Sequence, residues 1–579
     1  MEDDRIPNGI HIRSMWNRVI HSILMVALIG SLGDGALCPA ICRCEEEALA
    51  TYCTNATQQL EFVPIQLNPE VKKIDLSNNK ITNLHFALSF YDKLVQLDLS
   101  GNKINTLGSS NFEHQKVLLH LNLSSNVIEK LGKDSLKGLK ALTVLDMSYN
   151  RLEKLTSIAF RELHSLVILK LSANRLMHLE DGVFKSTKHL EELFLEDNQF
   201  MVVPSSALSD VLSLRHLSLS RNLIESIEEG EMPQLSQMST LQLDGNVMSD
   251  INPTAFIGLV SLDHLDVSDN NFTVIPTNSL SKLSNLTTLK FSGNSISNLP
   301  AVAFRGLFHL KYIKLDRLQY LETIDPRTFI DNINLEKVYL DFNIALEKIP
   351  TRLFHGNPKL RYVSIRYNKL ETLEVTHFPL DQLREIRLAG NPLQCNCSLG
   401  WLWQLIKLQK AKTAQTNATS THTTKDKPTT RDLILDGDEI SCEGPEDMKG
   451  LLLSDASKYQ MDCSVGWMAA VSVAVTVVFI LAVIGGVVYW APTRKSKNNK
   501  KDLTNLDTIL RRPPTCSNGL AEPYEVTHIE KCMMPPPILH NEYRSLPSWD
   551  PYGAHCQSTM NIYETLDENT KSRPHIVYV

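Results

Sequence analysis

The feature that most restricts how this chain can fold is a phrase it repeats about every 24 residues. Residues 94–104 (LVQLDLSGNKI), 142–152 (LTVLDMSYNRL) and 383–393 (LREIRLAGNPL) all follow L-x-x-L-x-L-x-x-N-x with an apolar residue to close. The asparagine recurs from Asn79 to Asn391, mostly 24 residues apart. A gap of 49 between Asn294 and Asn343 holds one more copy, with Leu310, Ile313 and Leu315 in register and Leu318 where the asparagine belongs. That makes fourteen copies over residues 71–393. One copy cannot bury its own apolar face, so neighbours must stack into a coil with a shared interior and a lid at each end. The alternating pair, such as Leu97 and Leu99, puts two leucines on the inner side of a short strand. At the turn that follows, an asparagine amide can both donate to and accept from stranded backbone groups. One large apolar residue per copy, among them Phe112, Phe160, Phe184, Phe256, Phe304, Phe329, Phe354 and Phe378, closes the outer side as core. The expectation is a concave sheet of parallel strands roughly 65 Å along, with a change of curvature near Leu318.

Two cysteine groups bracket the repeats. Cys38, Cys42, Cys44 and Cys53 precede them; Cys395, Cys397, Cys442 and Cys463 follow. Four cysteines also suit zinc, and spacing alone leaves three connectivities per group. The flanking segments favour crosslinks. Arg5, Arg13 and Arg18, an apolar run at 23–29 and small residues up to Ala36 follow the order of a secretory signal, and disulfides persist outside the cytosol. Residues 467–490 carry no charge and would reach about 36 Å as a helix. Arg494, Lys495, Lys497, Lys500 and Lys501 then supply the basic excess expected on the cytoplasmic side. The expected order is a signal peptide at 1–36, an N-terminal cysteine cap at 37–70 and repeats at 71–393. A C-terminal cap at 394–464 with a Thr-rich insertion, a transmembrane helix at 466–490 and a disordered cytoplasmic tail at 491–579 complete it. Glycosylation sequons begin at Asn55, Asn122, Asn271, Asn285, Asn396 and Asn417, all on the outer side, with Asn396 hemmed between two cysteines.

Recognition is the function that remains. The net charge of −7 argues against a nucleic-acid partner. No H-E-x-x-H, G-x-S-x-G or glycine-rich phosphate loop is present, so no enzyme and no cofactor or metal is expected. The 87 residues after Pro492 are too few for a kinase domain and lack the strands of a Toll-type signalling module. On the concave side the early copies offer Asp75, Asp98, Asn122 and Asp146, while later ones change character: Lys290, Tyr312, Lys314, Lys337, Tyr339, Tyr362, Arg366 and Arg387. Tyrosine and arginine are enriched at protein contacts, which makes this second group the candidate ligand-binding patch. The alternative is a solvated strand face, or one screened by sugars on Asn271 and Asn285. In the tail, Tyr543 and Tyr563 fit Y-x-x-Φ sorting signals. Tyr524 and Tyr563, each followed by Glu, suit phosphotyrosine-binding adaptors, and Val577 to Val579 suit a PDZ domain. Ala482 and Gly486 form a small-x-x-x-small pair that would permit a homodimer.

The repeat is the leucine-rich-repeat pattern, and the cysteine spacings at its ends resemble extracellular cap modules of such proteins. That resemblance implies pairing of Cys38 with Cys44, Cys42 with Cys53, Cys395 with Cys442 and Cys397 with Cys463. The 45-residue step from Cys397 to Cys442 is longer than such caps usually allow. Repeat number, caps, single helix and short tail together resemble the insect neuronal receptors Tartan and Capricious over residues 38 to about 501. The resemblance implies an α/β leucine-rich-repeat solenoid with a parallel β concave face and an irregular or short-helical convex side. It further implies a plasma-membrane receptor for cell–cell adhesion, axon targeting and development, binding a protein on a neighbouring cell. A co-receptor that captures a secreted growth factor or pathogen product, or an endocytic clearance receptor, are the alternatives.

Overall fold

The computed structural model describes residues 38–54, 58–418, 433–461 and 463–490. The signal segment, Asn55, the insertion from 419 to 432, and the tail residues Tyr524, Tyr543, Tyr563, Val577 and Val579 lie outside them.

Each repeat contributes a three-residue strand whose middle side chain is buried, such as Leu97 in Gln96–Asp98, Leu145 in Val144–Asp146 and Leu193 in Glu192–Phe194. Alternation sends the two flanking side chains to the opposite, concave face. From Lys73–Asp75 onward each strand pairs in parallel with its predecessor, and equivalent residues lie side by side. The sheet has 17 strands; the caps supply Arg43–Glu45, Ala50–Tyr52 and Ile434–Leu435, and the remaining fourteen come from the repeats. This is the leucine-rich-repeat solenoid expected from the period.

The asparagines form a buried ladder. Nδ2 of Asn174 donates to Leu171 O in its own coil and to Met147 O in the coil before, each at 3.0 Å, while its Oδ1 accepts the Leu152 N–H at 3.0 Å. Asn198 repeats this geometry one coil on. One side chain thus satisfies three backbone groups that the turn would otherwise leave unpaired. Leu318 cannot do so, and carboxylates two residues before the ladder position accept other turn N–H groups here. Asp316 Oδ1 accepts the Asp341 N–H at 2.8 Å, and Asp341 Oδ1 accepts the Arg366 N–H at 2.7 Å. Asn343 Oδ1 accepts the Leu318 N–H at 2.8 Å, but its Nδ2 is buried without a hydrogen-bond partner among the described residues. Burial raises the carboxyl pKa of both Asp316 and Asp341.

The outer stripe is core. Its phenylalanines are buried, and in the later coils they stack in sequence: Phe304 on Phe329 (5.6 Å between centroids), Phe329 on Phe354 (6.1 Å), Phe354 on Phe378 (6.5 Å) and Phe378 against Trp401 (6.0 Å). The convex side is mostly turns, with one-turn helices at Ser205–Leu208 and Thr277–Leu280. It also carries short parallel pairs that the sequence did not announce: Ser226–Ile227 with Asp250–Ile251, and Asn298–Leu299 with Thr323–Ile324.

Disulfides join Cys38 to Cys44, Cys42 to Cys53 and Cys395 to Cys442. Cys397 is also disulfide-bonded; the side chain of Cys463 lies outside the described residues. Beyond the last repeat, the helix Gly400–Ala418 buries Leu402 and Ile406, with Leu399 just ahead of it, against the final coil. Trp401 Nε1 donates to Leu373 O at 3.2 Å, and Trp403 Nε1 to Ala456 O at 2.9 Å. The last described helix runs Cys463–Trp490, so it starts ahead of the expected 466. Its stretch Ala470–Val487 has a mean hydropathy of 2.7 and is long and apolar enough to cross a membrane.

Candidate ligand-binding face

Because the strands pair without slip, each concave side chain has a fixed neighbour in the next coil. Lys290, Lys314, Tyr339, Ser364 and Arg387 form one row. Tyr312, Lys337, Tyr362 and Glu385 form the row beside it. The tyrosines cross between rows and pack on one another, Tyr312 against Tyr339 at 5.1 Å and Tyr339 against Tyr362 at 4.8 Å between ring centroids. Burial, first, and the neighbouring acidic and phenolic groups raise the pKa of all three phenols, so each is a neutral hydroxyl at physiological pH.

The cations around this stack are mostly neutralised. Lys290 Nζ lies 3.1 Å from Asp266, Lys314 Nζ 3.4 Å from Asp316, and Arg387 Nη2 2.6 Å from Glu385. Lys337 is exposed and has no ion-pair partner among the described residues. Arg366 does not join them. It follows the strand Tyr362–Ser364 into the turn, where its guanidinium bridges Asp436 (3.4 Å) and Glu439 of the C-terminal cap. Reading residue types one at a time missed Asp266, Asp316 and Glu385. The signal was available, since Asp266 stands one repeat before Lys290 and Asp316 two residues after Lys314.

The N-terminal half of the same face has another chemistry. Asp75, Asp98, Asn122 and Asp146 are in register, and Asn122 Nδ2 donates to Asp98 Oδ2 at 3.0 Å. Asn122 is the described sequon on a concave strand. Asn271 follows the ladder residue Asn270 on the turn edge, and Asn285 precedes its strand, with Nδ2 donating to Val260 O at 2.8 Å. Neither belongs to a concave strand. Asn396 Oδ1 accepts from the N–H (2.9 Å) and hydroxyl (2.6 Å) of Ser398, and the Asn417 side chain lies outside the described residues. Among the described residues no three His, Cys, Asp or Glu side chains gather where they could hold a metal ion.

Fold and face together define a leucine-rich-repeat protein with disulfide-bonded caps. The family model described as "Leucine rich repeat" matches residues 92–152, 143–200, 164–224, 188–248, 212–272, 237–296, 262–319 and 333–393. Its one interior break follows the irregular repeat at Leu318. The chain belongs to this leucine-rich-repeat family. Among curated proteins, the NT-3 growth factor receptors of Mus musculus and Homo sapiens are 42% and 41% identical over 64 residues. That segment is 11% of this chain and 8% of each receptor, so the chain spans less than a tenth of these relatives. Among solved structures, the Drosophila Toll–Spatzle complex is similar with a TM-score of 0.53 and 21% identity, over 68% of this chain and 58% of that one. The TLR13–ssRNA13 complex is similar with a TM-score of 0.50 and 22% identity, over 68% and 61%. At these identities the likeness concerns the fold alone.

Proposed function

We propose that this chain is a single-pass, type I plasma-membrane receptor for cell–cell recognition that takes a protein ligand on the C-terminal half of its concave face. The observation that carries the proposal is the Tyr312–Tyr339–Tyr362 stack, set among cations whose charges are largely met within the chain. Tyrosine rings bring large contact area at small entropic cost, and neutralised neighbours are cheaper to desolvate than bare charges. Lys337, exposed at the centre, is the group left to engage an acidic residue of the partner. The capped solenoid and the apolar helix Cys463–Trp490 support a membrane-anchored receptor, and the architectural resemblance to Tartan and Capricious supports adhesion as its task.

Mixing labelled cells that express the chain with cells that do not tests this. Adhesion predicts clusters, homotypic if binding is homophilic and mixed if it is not. Tyr339→Ala and Lys337→Glu should each weaken clustering by about tenfold or more at equal surface level. Normal clustering by both variants would remove the concave patch from the proposal. The segment similar to the NT-3 growth factor receptors supports a second reading, a co-receptor that captures a secreted growth factor. It predicts binding of soluble protein by single cells with no clustering. Sorting, phosphotyrosine and PDZ roles for the tail stay proposals of the same kind.

A further inference from the structure

The residue before each ladder position has a left-handed backbone in coil after coil. Glycine fills it at 101, 245, 293 and 390, but Phe342 (φ 59°) and Tyr367 (φ 54°) put large rings there. Such a ring in the left-handed region is strained. The two rings stack face to face at 4.6 Å yet stay 48% and 42% exposed, and beside them Tyr320 is 60% and Ile344 62% exposed. Tyr149 shares that backbone and exposure in an early coil, so what distinguishes the later residues is that they cluster.

Tyr320, Phe342 and Ile344 wall a groove of about 520 Å³ along the turn edge, and Asn271 stands in the same lining. Gly293 forms part of its floor, where a Cβ would collide with Asp269. Over that glycine Arg317 reaches two coils back to Asp269, with bonds of 2.7 and 3.0 Å, and closes one side. Ser295 and Gln319 supply polar groups between the ends. Asn271 is exposed, heads Asn271-Phe272-Thr273, and its amide makes no hydrogen bond among the described residues, unlike Asn122, Asn285 and Asn396.

We propose that an N-linked glycan on Asn271 folds back into this groove and packs over Tyr320 and Phe342. A pyranose has an apolar face that lies flat on an aromatic ring and a polar rim that suits an amide, a hydroxyl and a guanidinium. Coils are about 4.8 Å apart, so Tyr320 is about 10 Å and Phe342 about 15 Å from the acceptor, within a core oligosaccharide's span. Attachment to the chain itself raises the effective concentration enough for contacts that would be weak in a free sugar. The inference rests on the proposed extracellular placement of the repeats.

The full chain, expressed in cultured animal cells and purified in detergent, tests both claims separately. Glycopeptide mass spectrometry reads sugar at each sequon, and hydroxyl-radical footprinting reads ring exposure. Expected are an occupied Asn271 and a several-fold rise in labelling of Tyr320 and Phe342 in Thr273→Ala, which removes the sequon but keeps Asn271. Tyr149, 64% exposed at the same turn position of an early coil, should not change. Should that variant fail to fold, wild-type protein trimmed by endoglycosidase gives the same comparison. Sugar on Asn122 or Asn285 with Asn271 bare, or unchanged labelling after its removal, overturns the seat but leaves the topology. All described sequons bare would overturn both.

Discussion

Asp316 carries a carboxyl into a buried position where neighbouring coils have serine, as at Ser268 and Ser292. Burial is the main cause of its raised pKa, outweighing the Asp341 N–H and Lys314 that favour the charged form. The sign follows from linkage. A folded-state pKa above the ordinary 3.8 means the folded chain holds the proton where the unfolded chain has lost it. The contribution of Asp316 to stability is therefore greatest below the unfolded pKa and declines as pH rises through the folded one. Asp316→Asn keeps an oxygen for the Asp341 N–H and removes the desolvated charge. We expect the variant to be more stable than wild type at pH 7, with the gap narrowing as pH falls towards 4, as read from urea midpoints. An equal gap at both pH values would show that charge is not the issue. The asparagine ladder was legible because one residue type recurs at one position. Asp316 was not, because aspartate and serine look alike there on a sequence and differ only once the site is buried.

At the scale of elements, the C-terminal cap is held by a polar clasp as well as by packing. Asp436, with a fully buried side chain, accepts the N–H groups of Leu388 and Ala389 at 3.0 Å each, and Arg366 is its counter-ion. Arg366→Ala leaves that charge without its partner, and we expect a loss of roughly 2–3 kcal/mol, less than for a fully buried pair because the arginine is partly solvated. Chemical denaturation checks the loss. Ligand binding under native conditions should survive it, which separates Arg366 from Lys337. Leu399 and Trp401, apolar residues just past the last repeat, plug the final coil. The helix containing Trp401 was not taken from the sequence, although Leu399, Leu402 and Ile406, spaced by three and then four, are its signal. The two-residue convex pairs are too short for any period to reveal.

Among the described residues the repeats and caps share one interior, since a single cluster of buried side chains runs from Cys53 to Met461. Each coil leans on its neighbours, so stability is passed along the stack rather than held in common. Opening the Cys42–Cys53 crosslink with the double variant Cys42→Ser, Cys53→Ser should cost about 2–5 kcal/mol at that end. Hydrogen exchange should then quicken most in the strand Lys73–Asp75 and progressively less in later coils; equal quickening throughout would mean all-or-none unfolding. Fold class and repeat number were legible because periodicity is a property of the whole chain, and register follows from it. The contacts that tune the concave face lie between coils, where a linear text must be folded before neighbours can be compared.

The ends of the sheet carry a consequence of their own. One outermost strand is Arg43–Glu45, three residues long, turned antiparallel and bearing a charge at each end; the other is the two-residue Ile434–Leu435. Short and charged margins offer a poor template for backbone pairing with another molecule. Edge-to-edge joining of copies is thereby disfavoured, which leaves side chains as the favoured medium of any assembly.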